Sequence, residues 1–195
     1  MKVAVVKYNA GNVQSVLYAL QRLGVNPLHT DDPQEINTAD KVIFPGQGEA
    51  KSAMSYLRQK GLDKVLTSLH QPFLGICIGL QLMCKHSEEG DTDCLGMFNL
   101  NVKKFEIGKP GFKVPHMGWN RLDCNDSKLL NGLSDPYLYY VHSYYAELGP
   151  ETIGSTDYLL SYSGALHKDN YYAVQAHPEK SSDPGQKILT NFLAL

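Results

Sequence analysis

The stretch Pro72–Met83 carries the residues best suited to chemistry, because it places one cysteine between two glycines. An apolar run ends at Gly75, and apolar residues resume after Gly79 at helical spacing. This pattern predicts a strand that turns sharply into a helix, with Cys77 at the corner, and is the thiol counterpart of the Gly-x-Ser-x-Gly nucleophile turn. At such a corner the helix dipole favours the thiolate, and the Ile78 amide could stabilise an oxyanion. Free cysteines are also commonly buried and inert, so the pattern alone leaves both interpretations open.

A general base for this cysteine is suggested by the sequence Val-Gln-Ala-His-Pro-Glu-Lys-Ser at 174–181. Pro178 disfavours helical backbone at His177 and keeps it extended. Residues two apart in an extended segment point to the same side, so Glu179 is expected beside the His177 ring. The carboxylate would orient the imidazole and stabilise the imidazolium. The alternative is a polar turn after a strand.

A third candidate is the loop Pro-Gly-Gln-Gly at 45–48, which lies between a predicted strand and a predicted helix. Glycines allow a backbone N–H to turn toward an oxyanion without steric cost. An ordinary strand-to-helix loop would have the same composition. It is not a phosphate-binding loop, because the third glycine and the Walker lysine are missing.

The elements that would position these motifs indicate an α/β fold. Strands are predicted at 2–8, 25–29, 41–44 and 72–76, and helices at 13–23, 50–60 and 62–69. This alternation predicts a mostly parallel sheet with helices on both faces, whose strand ends bring residues 45–48 and Cys77 to one edge. After about Leu95, short segments at 102–105, 119–122, 137–145, 152–158 and 171–176 predict an antiparallel addition, followed by a final helix around 188–193. We expect residues 1–195 to form one domain.

Composition excludes several functional classes. The 195 residues carry a net charge of −2 and no basic stripe, which argues against nucleic acid as a partner. No apolar stretch approaches the ~20 residues of a membrane span, and the first apolar run is too short for a signal peptide. The cysteines lack C-x-x-C spacing, which favours reduced thiols in a cytoplasmic protein and predicts neither a metal site nor a cofactor. These cysteines are Cys77, Cys84, Cys94 and Cys124.

Taken together, the three motifs resemble the class I glutamine amidotransferases, in their order and at their spacing. The resemblance implies a flavodoxin-like α/β fold. Within the class, the chain is similar to the glutaminase subunits of imidazole glycerol phosphate synthases. The additional matches are Tyr-Asn-Ala-Gly-Asn at 8–12, Pro-His-Met-Gly-Trp-Asn at 115–120, Tyr-Val-His-Ser-Tyr at 140–144 and Lys-Ser at 180–181. The likeness runs from end to end, although Gln47 stands where a small apolar residue is common.

The resemblance implies a specific chemistry. Cys77 would attack the side-chain amide of L-glutamine, His177 would protonate the leaving ammonia and later activate water, and Glu179 would orient His177. Peptide N–H groups of Ile78 and of the Gly46–Gln47 region would hold the oxyanion. Matching positions assign the glutamine contacts to Gly48, Gln81, Ser143 and Tyr144.

The resemblance also implies a heterodimer with a separate cyclase subunit. Ammonia would pass to that subunit, which forms imidazole glycerol phosphate and AICAR in histidine biosynthesis. Asn12, Met117 and Trp119 match segments that face the cyclase. The glutaminase of such enzymes is weak until the cyclase binds its substrate. We therefore expect that the Gly46–Gln47 peptide of the isolated chain does not aim its N–H at the oxyanion position.

Three other functions share part of these motifs. Glutaminase subunits of pyridoxal phosphate synthase are disfavoured by the 8–12 turn and by Lys180-Ser181. Glutaminases of sugar amination pathways share most of the motifs. A redox sensor would need only the elbow cysteine, and the His-Pro-Glu sequence at 177–179 weighs against it.

Overall fold

The computed structural model describes residues 1–9, 13–46, 48–106 and 111–195. Its strands are β1 (Val3–Val6), β2 (Leu28–Thr30), β3 (Lys41–Phe44), β4 (Phe73–Ile76), β5 (His86–Ser87), β6 (Thr92–Asp93), β7 (Asn101–Lys104), β8 (His116–Arg121), β9 (Asp123–Cys124), β10 (Tyr137–His142), β11 (Tyr144–Ala146), β12 (Thr152–Tyr158), β13 (Leu160–Lys168) and β14 (Tyr171–Val174). Its helices are α1 (Gln14–Arg22), α2 (Pro33–Asn37), α3 (Ala50–Gln59), α4 (Leu62–Thr67), α5 (Ile78–Met83) and α6 (Ser182–Ala194), with a 3₁₀ turn at Pro178–Lys180. None of the helices within the described ranges is long and apolar enough to cross a bilayer.

The main sheet has eight strands over the described residues, in the order β2-β1-β3-β4-β14-β13-β12-β9. The first five are parallel to one another, and the last three extend the sheet from β14 in antiparallel pairs. The mixed α/β class predicted from the sequence is therefore confirmed. One strand differs from the prediction, because β14 joins the parallel part beside β4 rather than the antiparallel addition. Its run Tyr-Tyr-Ala-Val suits a strand covered on both faces, where alternation of polar and apolar residues is lost.

Helices cover both faces of this sheet, as the alternating pattern predicts. One core contains apolar residues of α1 and α6, including Leu20, Ile188 and Phe192, packed against Val5. The opposite core contains α2, α3, α4 and α5, represented by Ile36, Met54, Leu66 and Leu80. These layers hold the C-terminal ends of β3, β4 and β14 rigidly at one edge of the sheet.

Three of the differences between the prediction and the structure have a cause in the local sequence. Helix α2 was missed because Asp32-Pro33 reads as a turn, yet the Asp32 side chain accepts hydrogen bonds from the first-turn amides and Pro33 fits the first helical position. Strand β13 was missed because Ser and Gly interrupt its apolar pattern. The segment predicted as one strand at 137–145 is divided at Ser143, since β10 pairs with β8 and β11 pairs with β7.

Candidate active site

Cys77 occupies a strained corner between β4 and α5. Its backbone has φ 53° and ψ −110°, a conformation that L-residues rarely adopt and that costs on the order of 1–3 kcal/mol. The Cys77 amide is held by the Val174 carbonyl of β14 at 2.8 Å. Tight packing surrounds the corner: a Cβ on Gly79 would lie 2.2 Å from the Phe44 carbonyl oxygen, and one on Gly46 would lie 2.0 Å from the Ile76 carbonyl oxygen. The two glycines therefore let the loop after β3 close onto the elbow.

We expect Gly79→Ala to disrupt this packing, because the added methyl group meets rigid backbone rather than a flexible side chain. Overpacking of this kind costs about 1–3 kcal/mol of unfolding free energy. Urea denaturation measures the loss. Gly24→Ala is the control, since its Cβ has nothing within 4 Å and only its left-handed φ of 77° is penalised. A Gly79→Ala protein as stable as the parent would contradict the close approach.

The structure brings His177 and Glu179 together by a different route from the predicted extended segment. His177 is extended, with φ −98° and ψ 91°, and its amide donates to the Tyr139 carbonyl at 2.8 Å. The chain then tightens into the 3₁₀ turn at Pro178–Lys180, which carries Glu179 back toward the ring. The Nδ1 atom of His177 lies 2.7 Å from Oε1 of Glu179, and each of the two side chains is 2% exposed. A tight turn after an extended residue achieves the contact that the i, i+2 spacing predicts.

Electrostatics favour the imidazolium form of His177. Burial lowers the pKa of His177, but the charge of Cys77 and the hydrogen bonds that the ring donates to Cys77 and Glu179 outweigh burial and raise this pKa to about 10. The His177 ring is therefore protonated beside the Cys77 sulfur. Such a group can deliver a proton to a leaving amine, and it can accept one again after ammonia has left.

Cys77 and His177 line one cavity of about 560 Å³. Gly46 and Ile78, two of the predicted oxyanion residues, lie on its wall. All four predicted glutamine contacts also line it, namely Gly48, Gln81, Ser143 and Tyr144. The tertiary structure thus gathers residues from separated parts of the chain around Cys77.

Other predicted positions lie elsewhere. Met117 and Trp119 are on β8 and do not line the cavity, and 63% and 52% of their surfaces are exposed. Asn12 and Gln47 lie outside the described residues, so the orientation of the Gly46–Gln47 peptide stays a prediction.

Sequence reasoning missed two charged residues in the cavity wall, Glu89 and Lys180. Glu89 lies in the turn between β5 and β6, and its Oε2 accepts the first amide of α3, from Ala50, at 2.8 Å. Burial raises the pKa of Glu89, against the effect of that hydrogen bond. No local pattern marks Glu89, because it reaches the site through the packing of a small sheet. Lys180 could have been found from its place directly after His-Pro-Glu.

The profile of the class I glutamine amidotransferase family matches residues 4–195. This chain belongs to that family. Several relatives are named imidazole glycerol phosphate synthase subunit HisH, and three of them serve as examples. Those from Bacteroides fragilis strain YCH46 and Bacteroides thetaiotaomicron are each 54% identical over 100% of both chains, and that from Yersinia pseudotuberculosis is 41% identical over 100% of both.

Solved structures of this class share the fold at low sequence identity. A putative GMP synthase protein from Thermoplasma acidophilum superposes with a TM-score of 0.76 at 20% identity, covering 100% of this chain and 93% of the other. A second structure, described as a glutamine amidotransferase, has a TM-score of 0.76 at 18% identity and covers 98% and 97%. These structures show the fold alone. Within the family, the HisH relatives are more similar in sequence.

Proposed function

We propose that this chain is the glutaminase subunit of an imidazole glycerol phosphate synthase, releasing ammonia from L-glutamine for a separate cyclase subunit. The observation that carries the proposal is the 54% identity over whole chains to HisH subunits of that synthase. The geometry supports the glutaminase chemistry, because Cys77 and the His177–Glu179 pair follow the ends of the neighbouring strands β4 and β14. Cys77 and His177 also line the same cavity. Cys77, His177 and Glu179 form the proposed catalytic triad.

In the proposed reaction, the Cys77 thiolate forms a C–S bond to the amide carbon of glutamine. The oxyanion that develops is held by backbone N–H groups, with Ile78 as one donor and the Gly46–Gln47 region as the other. His177 gives its proton to the amide nitrogen, the C–N bond breaks, and ammonia leaves. Neutral His177 then takes a proton from water, which attacks the thioester and releases glutamate and the thiol. Glu179 keeps the ring oriented throughout.

Recognition of glutamine requires a partner for its α-ammonium group as well as for its amide. Glu89 is the carboxylate on the described cavity wall, and we assign it this role. Gly48, Gln81, Ser143 and Tyr144 lie on the same wall and are assigned the further contacts to glutamine. Lys180 offers a positive charge on the same wall, suited to the α-carboxylate.

We expect Glu89→Gln to raise KM for L-glutamine about tenfold while kcat changes little, because a charge-assisted hydrogen bond contributes roughly 1.5–3 kcal/mol. The carboxamide oxygen can still accept from the Ala50 amide, so the first residue of α3 keeps this hydrogen bond. Glutaramate, which is glutamine without the α-amino group, is the control substrate. Parent and variant should hydrolyse glutaramate with equal kcat/KM. An equal loss for both substrates would place the role of Glu89 elsewhere.

The proposed partner surface is an exposed apolar patch on the β8–β10 pair. Met117, Trp119 and Tyr137 are 63%, 52% and 61% exposed there, and such a patch is typical of a protein contact. Wall residues Tyr139, Val141 and His142 belong to β10 of the same pair. A cyclase docked on this face would therefore lie close to the cavity that releases ammonia, and Asn12 is assigned to the same interface by resemblance.

The test is to mix the chain with its cognate cyclase and the ribulosyl substrate, and to measure glutamate release and imidazole glycerol phosphate together. We expect the two proteins to form a heterodimer and the products to appear in equal amounts. Complementation of a histidine auxotroph that carries the cyclase separates this function from sugar amination. Glutamate release that never couples to the cyclase would overturn the proposal.

A further inference from the structure

Gln175 is a fully buried residue in direct contact with the sulfur of Cys77. The parallel register of β14 and β4 pairs Val174 with Ile76, so the next residues along each strand, Gln175 and Cys77, emerge side by side. The Nε2 atom of Gln175 lies 3.7 Å from Sγ of Cys77, within reach of an N–H···S hydrogen bond. Gln175 is 0% exposed.

The orientation of the Gln175 carboxamide follows from its other partner. The Tyr144 carbonyl can only accept, so the atom of Gln81 that lies 2.8 Å from it must be nitrogen. The same Gln81 nitrogen lies 3.1 Å from the Gln175 side chain, which must therefore present its oxygen there. With the oxygen placed, the NH₂ group of Gln175 faces the sulfur.

The Tyr144 carbonyl accepts a second hydrogen bond, from the ring of His142. Nδ1 of His142 lies 2.7 Å from it and must carry a proton, because the carbonyl only accepts. Burial lowers the pKa of His142 to about 3, so this ring is neutral, and its Nε2 can accept from the Tyr162 hydroxyl at 3.1 Å or from Nδ1 of His116 at 3.3 Å. The Gln81 and His142 side chains that hold the Tyr144 carbonyl are thus buried and uncharged.

We infer that Gln175 is a positioning residue for the nucleophile: its amide N–H donates to the Cys77 sulfur and stabilises the thiolate. The inference rests on the proposed glutaminase function. A hydrogen bond to the charged form of a group favours that form, and an amide does so without offering a proton that the thiolate can remove. Gln175 therefore supports the thiolate while His177 keeps its proton for the leaving group. If Gln175 served only to fill space, the charge state of the sulfur would not depend on its N–H group.

The experiment measures the reactivity of the Cys77 thiol in the full chain without glutamine. Iodoacetamide modification of Cys77 is followed by peptide mass spectrometry from pH 5 to pH 10, for the parent and for Gln175→Met and Gln175→Glu. The methionine keeps the length and loses the donor. The glutamate keeps the shape and the contact with Gln81, but turns a carboxylate oxygen toward the sulfur.

For Gln175→Met we expect the alkylation midpoint to rise by about one pH unit, and kcat for glutamine to fall about tenfold with KM within twofold of the parent. Gln175→Glu should shift the midpoint further, because an anion faces the thiolate. A packing role predicts an unmoved midpoint for Gln175→Met, since methionine fills a similar volume. An unmoved midpoint in either variant would overturn the inference.

Asn191→Leu is the matched control. It removes another buried carboxamide, which donates to the carbonyls of Leu129 and Asn131 away from the site. It should lower stability without moving the alkylation midpoint. If either Gln175 variant fails to fold, by near-UV circular dichroism, the other still reports the midpoint. Glutamine hydrolysis by Cys77→Ala is assayed in parallel, because activity there would reject the proposed function, whereas an unmoved midpoint rejects only the role of Gln175.

Discussion

Replacing Cys77 by alanine should abolish glutamine hydrolysis in the presence of the cyclase, lowering kcat by at least about 10³-fold. Removing the nucleophile of a triad removes the covalent route, and what is left comes from substrate binding and the oxyanion donors alone. The measurement is glutamate release per mole of protein, with the cyclase and its substrate saturating. Supplying ammonium salts directly should restore imidazole glycerol phosphate formation, because the cyclase reaction itself needs only ammonia.

Cys77→Gly is the informative companion to this variant. The corner holds a non-glycine residue at φ 53°, so glycine relaxes strain and should raise the free energy of unfolding by about 1–3 kcal/mol. We expect a protein that is more stable and equally inactive. This pair of results would show that the strain is maintained for the sulfur. A less stable Cys77→Gly protein, or glutamate release by Cys77→Ala, would contradict the assignment.

Glu179→Gln should lower kcat for glutamine by about 10²–10⁴-fold while the protein stays folded. Oε1 of Glu179 lies 2.7 Å from Nδ1 of His177, and its charge stabilises the imidazolium that would protonate the leaving amide nitrogen. The carboxamide keeps the shape and loses the charge. The KM of the Glu179→Gln variant for glutamine should stay close to that of the parent, since Glu179 does not line the cavity proposed to bind glutamine. A fall in kcat of less than tenfold would mean that another group orients the ring.

The same variant should change how stability depends on pH. The pKa of His177 in the folded chain is raised to about 10, although burial opposes the rise, whereas an unfolded histidine titrates near 6.5. The folded state then binds the proton more tightly, so this stabilisation is complete below pH 6.5 and is lost as the pH rises toward 10. Urea midpoints of the parent should fall across this window more steeply than those of Glu179→Gln. Equal slopes would mean that Glu179 does not contribute to the raised pKa of His177, which would then depend on Cys77 alone.

Elements that depend on local sequence patterns were predictable, whereas those that depend on distant strand partners were not. The elbow, the loop after β3 and helices α1, α3 and α4 were predictable because each depends on glycine spacing or apolar periodicity within about a dozen residues. The exposed patch on β8 could be located only by resemblance, since Met117 and Trp119 lie in a strand whose partner, β10, is about 20 residues away. Helix α2 was missed because Asp32-Pro33 is typical of a turn, and strand β13 was missed because it contains serine and glycine. In both places tertiary packing outweighs the local preference.

By itself, the sequence determined the chemistry available to this protein: a thiol at a strained corner, a histidine followed two residues later by a carboxylate, and a glycine-containing loop after the third predicted strand. Only the tertiary structure decided that β14 enters the sheet in parallel beside β4, and this pairing places His177 and Gln175 next to Cys77. It likewise brought Glu89 to the cavity through a turn that carries no motif. Strand pairing across a hundred residues depends on which surfaces bury one another, and periodicity within one segment does not record that choice.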